Sequence, residues 1–133
     1  MRGKDMVVRS SVLVIDDSEP YARALMQIIR DHGLEAYVAG DPIEASRILR
    51  NLTPDLILLD IRMPEMDGLR FLRMLKTHLK GGIVPTIVIS GEEAEGFREE
   101  ALAAGADGYL SKGFTEEEFK TALEPFLTLA SDS

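Results

Sequence analysis

Apolar residues along this chain follow two alternating patterns. Short unbroken runs occur at Val12-Leu13-Val14-Ile15, at Leu56-Ile57-Leu58-Leu59 (flanked by Asp55 and Asp60) and at Thr86-Ile87-Val88-Ile89. Such runs are too short for helices and have the composition of strands buried on both faces. Two weaker runs, Glu35 to Ala39 and Gly108 to Leu110, complete a set of five predicted strands. Between them the apolar positions spread to helical spacing. Ser18 caps a first helix with Pro20 in its opening turn, a stripe of Tyr21, Leu25, Ile28 and Ile29, and a stop at Gly33. Asp41-Pro42-Ile43-Glu44 combines a cap, a first-turn proline and a capping-box glutamate, with Ile43, Ile48, Leu49 and Leu52 expected inward. Asp67 opens a third helix that buries Leu69, Leu72, Leu75 and Leu79. A fourth is predicted from Glu92 to Ala104, ending at Gly105. Its apolar face is thin (Phe97, Ala101, Leu102) and Gly96 interrupts it, so it is expected to be the least rigid. Thr115 to Glu118 forms another capping box, opening a helix with Phe119, Ala122, Leu123, Phe126 and Leu127 on one side; Pro125 should kink or shorten it.

A strict alternation of apolar strands and amphipathic helices implies an α/β fold with a parallel sheet covered on both faces. The 133 residues suit one domain, expected over 11–130, with 1–10 and 131–133 as flexible ends. No repeat, linker or low-complexity stretch divides the chain.

Composition narrows the chemistry. The chain has no cysteine, which excludes disulfides and thiolate metal sites, and its two histidines exclude a histidine-rich metal cluster. Neither His32, beside the Gly33 stop, nor His78, on a surface helix, reads as a phosphorylatable group. No apolar run approaches the ~20 residues needed to span a bilayer, and the N-terminal MRGKDMVVRSS has no signal-peptide core, so a cytoplasmic location is expected. The net charge of −8 argues against bulk affinity for nucleic acid or membrane. That charge is unevenly placed: residues 1–90 are balanced, at 12 acids and 12 bases, whereas residues 91–124 carry ten acids against three bases. A protein partner using that part of the chain should offer a basic contact surface.

In doubly wound folds ligands bind beyond the carboxyl ends of the strands. Here those ends deliver Asp16 and Asp17 from strand one, Asp60 from strand three, Ser90 from strand four and Lys112 just after strand five. Carboxylates about 4 Å apart repel by roughly 4 kcal/mol per pair at an effective dielectric of ~20. A hard divalent cation with oxygen ligands offsets this, and Mg²⁺ suits a site with few carboxylates. The same set suits phosphoryl transfer, in which charge spreads over three equatorial oxygens: Mg²⁺, Lys112 and the Ser90 hydroxyl can each take one, with Asp60 as nucleophile.

The motifs VLVIDDS (12–18), DLILLDIRMPEMDG (55–68), IVISG (87–91) and GYLSK (108–112) resemble those of the response regulator receiver domain of the chemotaxis-Y (CheY-like) type, over about Val12 to Leu127. The resemblance implies a five-stranded, flavodoxin-like three-layer sandwich of strand order 2-1-3-4-5. By position it implies Asp16, Asp17, Asp60 and the backbone carbonyl of Arg62 as Mg²⁺ ligands and Asp60 as the phosphorylated residue. It further implies Ser90 as the hydroxyl that bonds the phosphoryl group, Tyr109 as an aromatic switch, and Lys112 as the partner of Asp60 and then of phosphate. Pro64 and Gly68 would shape the loop after the acceptor. Gly113 stands where the family usually has proline, so a trans bond or a looser loop is expected after Lys112.

The function expected is a phosphorylation-dependent signalling switch of a two-component phosphorelay, not an enzyme with an external substrate. A sensor histidine kinase or a histidine phosphotransfer protein would donate to Asp60, and the face of helix four, strand five and helix five would then favour a downstream protein target. The receiver pattern fills the chain, so it reads as a stand-alone receiver or as a fragment of a larger response regulator or hybrid kinase. Three rival readings exist. An aspartate-nucleophile phosphatase would have a second Asp two residues after Asp60, where Arg62 stands. A flavodoxin-like cofactor carrier would have a phosphate cradle where Asp16-Asp17-Ser18-Glu19 stands. A docking module would have no need of the acid, hydroxyl and lysine together.

Overall fold

The computed structural model describes residues 10–61, 68–78, 83–91, 96–127 and 129. Five strands, β1 (Ser11–Ile15), β2 (Glu35–Ala39), β3 (Leu56–Asp60), β4 (Thr86–Ser90) and β5 (Gly108–Ser111), alternate with five helices. These are α1 (Glu19–Asp31), α2 (Pro42–Asn51), α3 (Gly68–His78), α4 (Phe97–Ala103) and α5 (Glu116–Leu123). The strands form one sheet in the order β2-β1-β3-β4-β5, parallel throughout. The order implied by the resemblance is the order observed.

Period-two alternation divides the core. Leu13, Ile15, Ile57, Leu59 and Val88 face one side, where they pack with Ala45 and Leu49 of α2, Phe71, Leu72 and Leu75 of α3 and Ala101 of α4. Val12, Val14, Leu56, Leu58, Ile87 and Ile89 face the other, against Ala22, Leu25 and Ile29 of α1 and Phe119 and Leu123 of α5. Every residue of β1, β3 and β4 is buried, as strands covered on both faces must be. The sheet therefore holds its own ends in fixed register, and the site depends on that.

The helix ends follow local chemistry. Gly33 takes a left-handed φ of 81° after α1, and the amides of Gly33 and Leu34 close on Arg30 and Ile29. Asp41 accepts from the Glu44 amide at 2.8 Å, while the Glu44 carboxylate accepts from Gly40, one residue before the cap. At Thr115 both halves of the capping box form. The last helix ends at Leu123, two residues before Pro125, yet Leu127 remains buried. His32 fills a buried position between α1 and α5; its Nδ1 donates to the Ile28 carbonyl at 2.9 Å and its ring lies 5.3 Å from that of Phe119.

Three expectations are corrected. Ile43 is 73% exposed, because Ala45 and Leu49 take the inward face of α2. Leu102 is 38% exposed, leaving Ala101 as the buried residue of α4. The described part of α4 begins at Phe97, since Gly96 has φ 90° and serves as its N-cap, a conformation that no helix interior accommodates. Phe71 of α3 is a core residue that the stripe of leucines concealed. The expected starts of the third and fourth helices at Asp67 and Glu92, and the burial of Leu79, lie outside the described residues.

At the end of the sheet opposite the strand carboxyl ends, Asp107 ties three elements together. Its carboxylate accepts from the Thr86 amide at 2.8 Å and from Lys76 Nζ of α3 at 2.7 Å, and its own amide donates to the Thr86 carbonyl.

Candidate functional site

Each group expected at the site reaches it because a strand ends there. Asp16 follows β1 and Asp60 closes β3, both in pleat positions on the α1/α5 side of the sheet. They are 2% and 3% exposed. One carboxylate oxygen from each of Asp16, Asp17 and Asp60 lies within 4.8 Å of the others, and Asp17 is the exposed member.

Asp16 is held firmly and awkwardly. Its amide donates to the Ala39 carbonyl at 3.0 Å, and its Oδ1 accepts from the Ser18 amide at 2.8 Å. Its Oδ2 is buried with no hydrogen-bond partner. Burial pushes the carboxyl up to about 7, against the pull of the Ser18 amide, and the nearby charge of Asp60 adds to the rise. A buried carboxylate with an unpartnered oxygen, close to two further carboxylates, suits a cation. Three oxygen donors with no sulfur or imidazole fit a hard divalent ion such as Mg²⁺.

Lys112 approaches from the far side. Its amide donates to the Ser90 carbonyl at 2.7 Å, extending the β4–β5 ladder by one bond, and its Nζ lies 3.4 Å from Asp60 Oδ2. Its side chain is 31% exposed. The Lys112–Gly113 bond is trans, and a side chain at position 113 would meet nothing within 4 Å. The trans alternative expected for glycine at this place is therefore the one observed.

Ser90, fully buried, ends β4 on the opposite pleat face from Asp60, and in register Ser90 stands beside Ser111. Tyr109 shares that face, half-buried against the core, with its ring 6.4 Å from Phe97 of α4 in an edge-on arrangement. The sheet thus divides the site into two groups: the acids and Lys112 toward α1, the hydroxyl and the aromatic ring toward α4. Arg62 and Pro64 lie outside the described residues. Gly68 is described, and a side chain there would overlap the Ile61 carbonyl, so the return of the chain into α3 requires glycine.

Sequence reading missed Tyr21, which it assigned to the apolar stripe of α1. Its ring packs against the core but also lies under the Lys112 ammonium, 4.6 Å from Nζ to the ring centroid, and its hydroxyl is 3.5 Å from the Lys112 carbonyl. Burial and the charges of Asp16 and Asp60 push the phenol up to about 12. The available signal was position: four residues after Asp17, in the first turn of a helix that starts at the strand ends. Beside the acids, a cleft of about 400 Å³ opens between α1 and the β2–α2 turn, with Ala22, Met26 and Val38 among its lining.

The model of the response regulator receiver domain matches residues 12–124. Among curated proteins, the response regulator MprA of Mycobacterium sp. (strain KMS) is 32% identical over 120 residues, covering 90% of this chain and 51% of the relative. The chain spans about half the length of the curated relatives it matches. Among solved structures, the chemotaxis protein CheY4 of Vibrio cholerae superposes with a TM-score of 0.81 at 28% identity, covering 90% of this chain and 100% of that one. The Francisella response regulator 1452 receiver domain superposes at 0.73 with 31% identity, covering 84% and 90%.

Proposed function

Since the chain belongs to the response regulator receiver domain family of two-component signalling, we propose that Asp60 is its phosphoacceptor and that phosphorylation switches the α4–β5–α5 face between two states. The observation that carries this reading is the placement of Asp60: a carboxylate 3% exposed, 3.4 Å from an ammonium and within reach of two further carboxylates. A structural carboxylate needs one cation; this one has a lysine and sits in an excess of negative charge that invites another.

Asp16, Asp17 and Asp60 would hold Mg²⁺, with the Arg62 carbonyl as a further ligand. When bound, the ion neutralises phosphoryl oxygens and lowers the repulsion between donor and acceptor. The chain's own residues do the rest. An Asp60 carboxylate oxygen attacks phosphorus, forming the O–P bond as the P–N bond of a phosphohistidine breaks, and the imidazole leaves with the electron pair and takes up a proton. Lys112 Nζ, already beside Asp60, pairs with the transferred phosphoryl group. The Ser90 hydroxyl donates to a phosphoryl oxygen. As β4 ends and β5 adjust to that bond, Tyr109 turns inward and its contact with Phe97 transmits the change to α4. To move the population from 1:99 to 99:1, the phosphoryl group must favour the active state by about 5.5 kcal/mol.

The donor is a sensor histidine kinase or a histidine phosphotransfer protein, and the target is a protein with a basic contact surface, suited to the ten acids of residues 91–124. This is a signalling domain; its chemistry is confined to taking up and losing its own phosphoryl group. Among the described residues no helix is long and apolar enough to cross a membrane.

Incubation with Mg²⁺ and a small-molecule phosphodonor, followed by intact-mass measurement, tests the assignment. Wild type gains one phosphoryl group and Asp60→Asn gains none. Equal gain by the two proteins would place the acceptor elsewhere.

A further inference from the structure

We propose that Tyr21 is a positioning residue for Lys112, its ring face holding the lysine poised beside Asp60. This deepens the reading of Asp60 as phosphoacceptor and rests on it.

Three observations converge. The Lys112 ammonium stands 3.4 Å from Asp60 Oδ2, longer than the roughly 2.7–2.9 Å of a closed charge-assisted bond. The Lys76–Asp107 pair in the same protein closes to 2.7 Å. The carboxylate alone therefore does not fix the lysine. The ammonium also lies over the Tyr21 ring, 4.6 Å from its centroid, within the roughly 6 Å over which the negative ring face attracts a cation. After Lys112 the chain turns through Gly113, with the Phe114 amide donating to the Ser111 carbonyl at 3.1 Å, and the Tyr21 hydroxyl is within reach of the Lys112 carbonyl in that turn.

Tyr21 is itself well placed to act as an anchor. It belongs to the first turn of α1, which is packed on the sheet through Ala22, Leu25 and Ile29, and its ring touches the same core. A lysine has four flexible side-chain bonds and loses much freedom when one geometry is imposed. Held between a ring face and a carboxylate, it needs only a short movement to reach a new anion on Asp60. A lysine closed on the carboxylate at 2.7 Å would have to break that bond first.

The test compares the rates of phosphorylation by a small-molecule donor with Mg²⁺ for wild type, Tyr21→Phe, Tyr21→Leu and Asp60→Asn, with thermal melting of each. Tyr21→Leu is expected to be roughly five- to tenfold slower, and Tyr21→Phe, which keeps the ring face, to stay within about twofold of wild type. In a Lys112→Met background Tyr21→Leu should cost nothing further. Tyr21→Met, closer in volume, replaces the leucine variant if that one melts below the assay temperature. A Tyr21→Leu rate equal to wild type overturns the proposal. So does an equal loss in the Lys112→Met background, which would mark Tyr21 as packing alone. If wild type gains no phosphoryl group, or Asp60→Asn gains as much, the phosphoacceptor reading falls and takes this role of Tyr21 with it.

Discussion

Asp16 and Asp60 leave strands buried at every residue, whereas Lys112 leaves β5, a four-residue strand with one buried position. The acids are consequently fixed by the deepest part of the sheet, and their mutual repulsion cannot be relieved by movement. The cation that answers them follows a strand whose opposite face is covered by α4, seven residues long with a single buried side chain. In the proposed switch the two regions would take different parts: a rigid charged pole that stores the unfavourable electrostatics, and a lightly packed pole that responds when the charge changes. Regions with few buried contacts open at low free-energy cost.

The contrast can be broken first at the core. Leu58→Ala in β3, at a position with no exposure, should lose about 2–5 kcal/mol of stability, read from urea unfolding. A loss below about 1 kcal/mol would mean that the central strands are not the rigid pole.

Asp16 gives the next largest effect, and its sign is unusual for a carboxylate. Its folded value is raised from 3.8 to about 7. Between those limits the folded protein binds a proton that the unfolded chain has released. The contribution of Asp16 to stability is therefore present below about pH 4, falls as pH rises, and is gone above about 7. Without divalent ions, Asp16→Asn should be more stable than wild type at pH 8, by on the order of a few kcal/mol, and the difference should vanish near pH 4. Unfolding curves across that range with chelator present measure both. Wild type more stable than Asp16→Asn at pH 8 would remove the stored repulsion from the account.

At the responsive pole the expected effect is smallest. Leu102→Ala in α4, 38% exposed, should change stability by no more than about 0.5 kcal/mol. Amide exchange should show α4 opening well before β1 and β3, and equal protection would erase the contrast.

Much of this was legible in the residues because strand burial and helix capping are local. The runs at Val12, Glu35, Leu56, Thr86 and Gly108 matched the observed strands to within a residue, and the caps at Asp41 and Thr115 stand where they were read, while Ser18 holds the N-cap position of α1 without a side-chain cap bond. The strand order came from resemblance, since periodicity carries no information about which strands are neighbours. Ile43 and Leu102 were misplaced because helical spacing does not reveal which neighbours cover a face; Ala45, Leu49 and Ala101 hold the buried places. Gly96 was read as an interruption because its left-handed backbone is invisible in composition. The site was legible as far as strand ends reveal it: Asp16, Asp17, Asp60 and Lys112 do converge. The ring of Tyr21 under Lys112 is a contact across 91 positions of sequence, and no local pattern encodes it.

Asp107 fastens the entry of β5 to Thr86 and Lys76, while past its exit the chain runs into Gly113. The exit is tied as well, by the Lys112 amide on the Ser90 carbonyl and the Phe114 amide on the Ser111 carbonyl. A strand pinned at both ends and laddered along its length travels only with β4. In the proposed switch the freedom then belongs to side chains, and Tyr109, half-buried against Phe97, is the one that can change the way it faces without the sheet giving way.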